Sequence, residues 1–343
     1  MILNWKKISG FAFTLAASVA FASGPTATTP GPGTRFATDA YPGFDSEDNI
    51  VEAGRKTPRL FGRGGPEKDN AADQFAWAVA CVSNQNWSAA RKGFDALVRT
   101  WPTADEAPRA QKALADILYT HDLEYENAFR EYKYLADYYS TQCDFDATVS
   151  NMYAMAKLMR QAGKDFMFFH FDNTVDVRRA FEAVVLRAPG AAYAPEAMMT
   201  IGQLREDEEA YEQAQQVYET VRNLYPLTPE AKDSVYREAK VRMQILKDHP
   251  YNRTRCLDTI SFLKLALTTG ADVSTRPDLE RWRDEAVALL EDEAFKAAKF
   301  YDSRTRTKES AIAAYEKFLK EYPVSVHAEA ANARLKELRQ EAK

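Results

Sequence analysis

Five stretches of the chain repeat one pattern of small, aromatic and helix-breaking positions. A small residue is followed four positions later by an aromatic ring, and eight positions after that by a breaker. The sets are Ala90/Phe94/Pro102, Ala128/Tyr132/Ser140, Val177/Phe181/Pro189, Ala214/Tyr218/Pro226 and Ala311/Tyr315/Pro323. Residues four apart share a helix face, so the small residue and the ring offer a hole and a knob to a neighbouring helix. Proline then ends the helix, because it lacks an N–H and its ring clashes with the preceding turn. The first residues of the sets are separated by 38, 49, 37 and 97 positions, and the longest gap has room for a worn copy at Cys256/Ile260/Thr268. Self-similarity at roughly 34–40 residues is the mark of stacked helical hairpins. The pattern predicts an all-α chain: a right-handed solenoid of about six hairpins closed by a C-terminal capping helix.

From Ala71 onward the periodicity is helical. Asp73–Asn84 and Ser88–Thr100 form the first predicted hairpin, Ala107–His121 and Glu126–Tyr139 the second, Ala147–Gln161 and Val175–Arg187 the third, and Pro195–Arg205 and Tyr211–Tyr225 the fourth. Thr228-Pro229-Glu230 opens the fifth with a cap, a proline at the first helical position and an acid in the first turn. That helix runs towards Lys247 and is answered around Arg255–Leu267; Leu279–Phe300 pairs with Lys308–Tyr322 in the sixth. Ala328, Ala331, Leu335 and Leu338 then recur at helical spacing, as a terminal cap requires.

The first 70 residues are of other kinds. Lys6 and Lys7 precede an apolar run, and Ala20-Phe21-Ala22 before Ser23 has the small-x-small form of a signal-peptidase site. The apolar run Ile8–Ala22 falls short of the about 20 residues that span a bilayer as a helix, so residues 1–22 are predicted to be a cleaved secretion signal. Residues 23–70 hold Gly-Pro, Pro-Gly-Pro-Gly and Gly-Arg-Gly-Gly with few apolar positions, and are predicted to be a disordered arm. Around Leu60-Phe61 this arm is locally basic, as a solvated linker or as a docking segment that orders on contact. Residues 71–343 form the repeat domain.

Charge narrows the partner classes. The chain has 45 Lys and Arg against 50 Asp and Glu, a net of −5, and loss of Lys6 and Lys7 with the leader makes it more acidic still. An evenly mixed acidic surface argues against nucleic acid and against steady attraction to anionic lipid. The three cysteines, Cys81, Cys143 and Cys256, are odd in number and far apart; Cys81 continues an apolar stripe and reads as a buried free thiol. No HExxH, Gly-x-Ser-x-Gly, Walker or dinucleotide-binding signature occurs, and His121, His170, His249 and His327 are too dispersed to share a metal. A catalytic site, a cofactor and a metal are therefore not expected. Glu206-Asp207-Glu208-Glu209 sits between two helices and reads as a solvated turn, lacking the glycine and spacing of a calcium loop. Asn86-Trp87-Ser88 and Asn252-Arg253-Thr254 match the glycosylation sequon.

Two sets of residues are candidates for binding other proteins. Phe166-Met167-Phe168-Phe169-His170-Phe171 lies in the extended turn of the third hairpin. Phe168 and Phe169 either plug that hairpin or contact a partner. Tyr119, Tyr134, Tyr138, Tyr139, Tyr153 and Tyr193, spread over hairpins two to four, offer rigid amphipathic area on a concave face or fill gaps between helices.

Three passages resemble the tetratricopeptide-repeat family, and within it the BamD-type (YfiO or ComL) outer-membrane assembly proteins. They are Trp87–Phe94 with Trp101-Pro102; Phe168-Phe169 with Asp172, Arg179-Ala180-Phe181 and Ala188–Tyr193; and Glu291–Tyr301 continuing through Ala311–Leu319 to Tyr322-Pro323. The resemblance implies a non-catalytic periplasmic scaffold at the inner face of the outer membrane. Its C-terminal hairpins would bind POTRA domains of a BamA-type insertase through Glu293, Phe300, Tyr301 and Arg304, and its N-terminal hairpins would receive unfolded barrel proteins. Members usually carry a lipidated cysteine after a short leader, whereas no cysteine precedes Cys81 here, so membrane association is expected only through partners. The alternative is an adaptor in a cell-wall or Tol-type envelope complex. The segment Pro195–Arg276 is an addition to the short members' pattern.

Overall fold

Turn signals and hydrophobic stripes along the chain resolve into helices that each pack on the next. The structure is a computed structural model describing residues 41–44, 65–165, 173–250, 252–269, 272–304 and 308–341; residues 1–40, with Ala20, Ala22 and Ser23, and the loop holding Phe168 and Phe169 lie outside them. Among the described residues are thirteen α-helices and no strand. They are α1 (Ala71–Ser83), α2 (Trp87–Thr100), α3 (Ala107–Ile117), α4 (Tyr125–Tyr138), α5 (Phe145–Asp165), α6 (Asn173–Arg187), α7 (Ala194–Asp207), α8 (Tyr211–Leu224), α9 (Pro229–Asp248), α10 (Arg253–Thr268), α11 (Arg276–Arg304), α12 (Lys308–Glu321) and α13 (Ala328–Glu341). A single π-helical turn, Leu118–Asp122, extends α3. Contacts run between sequential helices, which makes the fold an all-α solenoid of hairpins.

Local chemistry sets the ends. Asn86 and Asn252, the two sequon asparagines, are helix caps: their side-chain oxygens accept the N–H of Ala89 and of Arg255. Thr228 caps α9 in the same way through the Ala231 N–H. Inside the first, second and fourth hairpins the chain turns through a left-handed residue, Gln85 (φ 59°), Leu123 (φ 57°) and Glu209 (φ 57°). The Asn86 N–H then reaches the Cys81 carbonyl, and the Ala210 N–H the Arg205 carbonyl, which satisfies carbonyls that the helix end leaves open.

All five repeat rings are buried: Phe94, Tyr132, Phe181, Tyr218 and Tyr315 are each at most 2% exposed. The worn copy belongs to the set, with Cys256 and Ile260 buried. The rings enter holes made by small residues. Tyr218 lies directly over Gly202 of α7, where a Cβ would overlap its ring, and Trp77 of α1 closes on Gly93 of α2. Where the ring is tyrosine, its hydroxyl finds an acid of the partner helix: Asp116 for Tyr132, Glu206 for Tyr218 and Asp302 for Tyr315. A buried hydroxyl without an acceptor would cost about 1–3 kcal/mol, so ring and acid are one unit.

A second contact repeats between hairpins. Tyr139 and Tyr225, just past the ends of α4 and α8, donate to the carbonyls of Pro102 and Pro189 one hairpin earlier, each at 2.8 Å. The equivalent position after α6 is Ala188, and there Arg187 is tied instead to Asp137 of α4 at 2.6 Å. The core is divided into three clusters along the solenoid. The 20 residues of α9 contribute Val241 and Ile245 to the first, and Ala239, Met243 and Leu246 to the second. The 29 residues of α11 give Leu279, Trp282, Ala286 and Leu290 to the second cluster and Ala298 to the third.

The structure departs from the sequence reading in three places. Glu206 and Glu208 are not a solvated turn; their side chains are 10% and 16% exposed and paired with Arg237, Lys240, Arg178 and Arg205. Cys81 is only half-buried, while Cys256 is the buried thiol; all three cysteines are free. Within the arm, residues 41–44 are not apart from the core, since Tyr41 joins it.

Two substitutions test this packing. Gly202→Ala is expected to destabilise by about 1–3 kcal/mol, because the added methyl meets the Tyr218 ring. Leu123→Gly is expected to raise stability by about 1 kcal/mol by removing the left-handed strain of a branched, exposed side chain. Urea denaturation of both variants beside the parent chain measures the two shifts.

Candidate functional site

The first helices of successive hairpins line a common groove. Residues of α5, α7, α9 and α11, with the adjoining ends of α8 and α10, enclose a cavity of about 840 Å³. A smaller hollow of about 370 Å³ continues it towards Lys157 and Phe181. Charged side chains of these helices line the two hollows: Lys157 and Arg160 of α5, Glu196 of α7, and Arg237 and Lys240 of α9.

At one end Tyr153 of α5 stacks on Tyr193, with centroids 4.5 Å apart and planes 11° apart, and meets the buried Phe181 edge-on. The Lys157 ammonium sits 5.3 Å over the Tyr153 ring and 2.9 Å from Glu196. Arg160 donates to Thr200 Oγ1 and Gln203 Oε1, while its buried Nε–H has no acceptor among the described residues. In the middle, Glu206 accepts from Tyr218, from Arg237 at 3.1 Å and from Lys240 at 2.9 Å, which ties α7 and α8 to α9. Farther along, Tyr236 packs on Trp282 and donates to Asp278 at 3.0 Å.

These contacts fix the charge states. Burial opposes the Glu196 and Glu206 charges, but hydrogen bonds and nearby cations more than offset it, so both carboxyls lie below the usual range. Burial and the neighbouring Glu196 push the Tyr153 hydroxyl well up, and burial with Asp146 takes Tyr193 to about 12. At neutral pH the arrangement thus presents ionised acids and protonated phenols. None of these groups is poised to exchange a proton near neutrality. No cluster of acids, histidines and cysteines among the described residues could hold a metal ion.

The residues singled out from sequence are not all brought together. Tyr153 and Tyr193 stack on each other beside Lys157, which lines the smaller hollow. Tyr119 packs edge-on to Tyr125 at the hairpin turn, and Tyr134 packs at a tilt on Tyr138 within α4, away from the groove lining. In α11, Phe300 and Tyr301 are 58% and 48% exposed, with rings in edge contact 6.2 Å apart. Glu293 turns inward: its Oε2 is buried, and its charge is felt by Cys256 and Arg253 of α10. The Arg304 side chain, like Phe168 and Phe169, lies outside the described residues. Sequence reasoning missed the groove's charged residues Arg160, Glu196, Arg237 and Lys240, because isolated charges on a helix face look like ordinary solvated positions.

No protein-family model matches the chain, and no curated protein does. Solved structures similar to it include a tetratricopeptide repeat protein from Parabacteroides merdae, at 13% identity over 78% of this chain and 98% of that one, TM-score 0.28. The C-terminal part of a TPR repeat-containing protein from Cytophaga hutchinsonii is similar at 14% identity over 77% and 88%, TM-score 0.29. Pseudomonas aeruginosa pilF is similar at 12% identity over 77% and 97%, TM-score 0.27.

The depressed Glu206 carboxyl generates a pH expectation. A carboxyl whose folded pKa lies below its unfolded value adds stability above the unfolded pKa and loses it as pH falls through the folded one. Glu206→Gln is therefore expected to cost about 2 kcal/mol at pH 7. It is also expected to flatten the fall in melting temperature below about pH 4.5. Parallel melting curves of parent and variant from pH 7 to pH 3 measure both.

Proposed function

We propose that this chain is a non-catalytic scaffold that holds a segment of another polypeptide along the α5–α7–α9–α11 groove. The observation that carries the reading is the groove's chemistry. Cations and carboxylates are tied along it, Lys157 to Glu196 and both Arg237 and Lys240 to Glu206, with Tyr153 stacked on Tyr193 at one end. Such a surface has little net field to attract a polyanion and no deep apolar well for a small ligand. It matches an extended chain whose amides and mixed side chains can be met by donors and acceptors in turn. Ionised acids held by cations also favour binding over acid–base chemistry.

We further propose that the setting is the periplasm at the inner face of the outer membrane, in β-barrel protein assembly. The resemblance of Trp87–Phe94 and Glu291–Tyr301 to the BamD type supports this, as does the leader-like start at Met1–Ala22. Unfolded barrel proteins are then the guests of the groove. The exposed Phe300–Tyr301 pair faces the POTRA domains of a BamA-type insertase.

Photo-crosslinking in intact envelopes tests the reading. A benzophenone side chain replaces Lys232 or Thr269 in the groove lining, and Lys264 on the exposed side of α10 as a control. The groove positions are expected to yield adducts with outer-membrane β-barrel proteins, and the control none. Equal adducts at all three positions, or none in the groove, would sink the scaffold reading. Adducts with cell-wall or Tol-type components would keep the groove and replace the assembly partner.

A further inference from the structure

Away from the groove, a short stretch from the N-terminal region is seated on the fourth hairpin. Residues 41–44, Tyr-Pro-Gly-Phe, form a tight turn in which the Phe44 N–H donates to the Tyr41 carbonyl at 3.2 Å. Proline second and glycine third, with Gly43 at φ 92°, are the residues a type II turn requires. The Tyr41 and Phe44 rings stack with centroids 5.2 Å apart, and Tyr41 is 7% exposed. It lies near Tyr225, whose own hydroxyl is already committed to Pro189.

The seat is built for this turn. Gly43 presses on α8 so closely that a Cβ would stand 2.8 Å from the Gln213 carbonyl and 3.0 Å from Val217. Its carbonyl accepts two hydrogen bonds from one guanidinium, Arg205 Nε at 3.1 Å and Nη2 at 2.7 Å. Arg205 is itself 6% exposed and held in a buried quartet. Its Nη1 pairs with Glu208 at 3.2 Å, and its Nη2 lies 3.6 Å from Glu182. Arg178 bridges the same two acids at 2.6 and 2.9 Å. With Nη1 on Glu208, Arg205 turns its Nε–Nη2 edge to the Gly43 carbonyl, and so reads a main-chain oxygen. Backbone recognition fixes the position of a guest; the two rings and the glycine supply the specificity.

Arg205 and Gly43 are 162 positions apart in sequence, and the seat belongs to the fourth hairpin, not to the first, where the repeat domain begins. The turn therefore reaches its seat as a ligand would, tethered by the chain that follows it. We propose that the notch between α7 and α8 is a peptide-recognition site for an aromatic-Pro-Gly-aromatic turn. At rest the protein's own residues 41–44 fill it, and an outside polypeptide bearing the same turn takes their place. Such a guest competes with an occupant whose effective concentration is raised by its tether.

The experiment uses the full chain. Gly43→Val forbids both the turn's φ and the approach to Gln213, and so empties the notch without altering a residue of the repeat domain. A fluorescein-labelled peptide of residues 37–47 is titrated into parent and variant and followed by anisotropy. The variant is expected to bind it about tenfold or more tightly than the parent, whose notch is occupied. A peptide with alanine in place of Tyr41 is expected to lose binding to the variant. Arg205→Lys in the Gly43→Val background keeps the quartet's charge but loses the double donor, and is expected to weaken binding with the melting temperature near that of Gly43→Val. Hydrogen exchange is expected to show the Phe44 amide protected in the parent and open in the variant. No binding to the variant, equal binding of the alanine peptide, equal affinity for parent and variant, or a Phe44 amide that stays protected in the variant would each overturn the proposal.

Discussion

A single helical hairpin cannot bury its own apolar faces, and the remedy here is a ring set into a hole one helix away. Phe94, Tyr132, Phe181, Tyr218 and Tyr315 occupy the same position in the second helices of five of the six hairpins and are all buried, with Ile260 of α10 in their place in the fifth. Close approach of the backbones is what makes the hole, as at Gly202 beneath Tyr218. The remaining order builds outward from that contact. A tyrosine in the hole brings a hydroxyl that must be satisfied, the hydroxyl selects an acid on the first helix, and at two of the three sites the acid recruits cations from a later helix. Glu206 does so with Arg237 and Lys240, and Asp302 with Arg334 of α13. Apolar packing and the groove's electrostatics are therefore consecutive steps of one construction.

The sequence displayed the first step plainly. Spacing of small and aromatic residues placed every ring, and Thr228-Pro229-Glu230 marked the start of α9. The tight turns within hairpins were harder to read, because Gln85, Leu123 and Glu209 take left-handed conformations usually marked by glycine. Glu206–Glu209 read as solvent-facing since a run of acids shows nothing of its partners. Arg178 and Arg237 lie some thirty positions to either side of it and meet it only after the hairpins stack. The seat of Tyr41–Phe44 was hidden for the same reason: the turn itself is written in Pro42-Gly43, its receptor is not.

As proposed, the groove and the notch would solve recognition differently. In the groove, Lys157, Arg237 and Lys240 are already paired, so a guest would gain by sharing donors and acceptors along its length, and one altered residue in the guest would change little. In the notch, a single carbonyl between two rings carries the recognition, so one added methyl is enough to exclude a guest. A surface of the first kind suits many unrelated sequences, and one of the second kind suits few.

The long helix α11 has a further consequence. Because Leu279–Leu290 serve one core and Ala298 the next, no seam runs between the fifth and sixth hairpins. Each residue turns a helix by about 100°, so inserting or deleting one or two residues mid-helix would rotate one core face away from its partners. Evolution can lengthen this rod only in near-whole turns. The same holds for α9, which serves the first core and the second, so the hairpins on either side of each long helix must be inherited together.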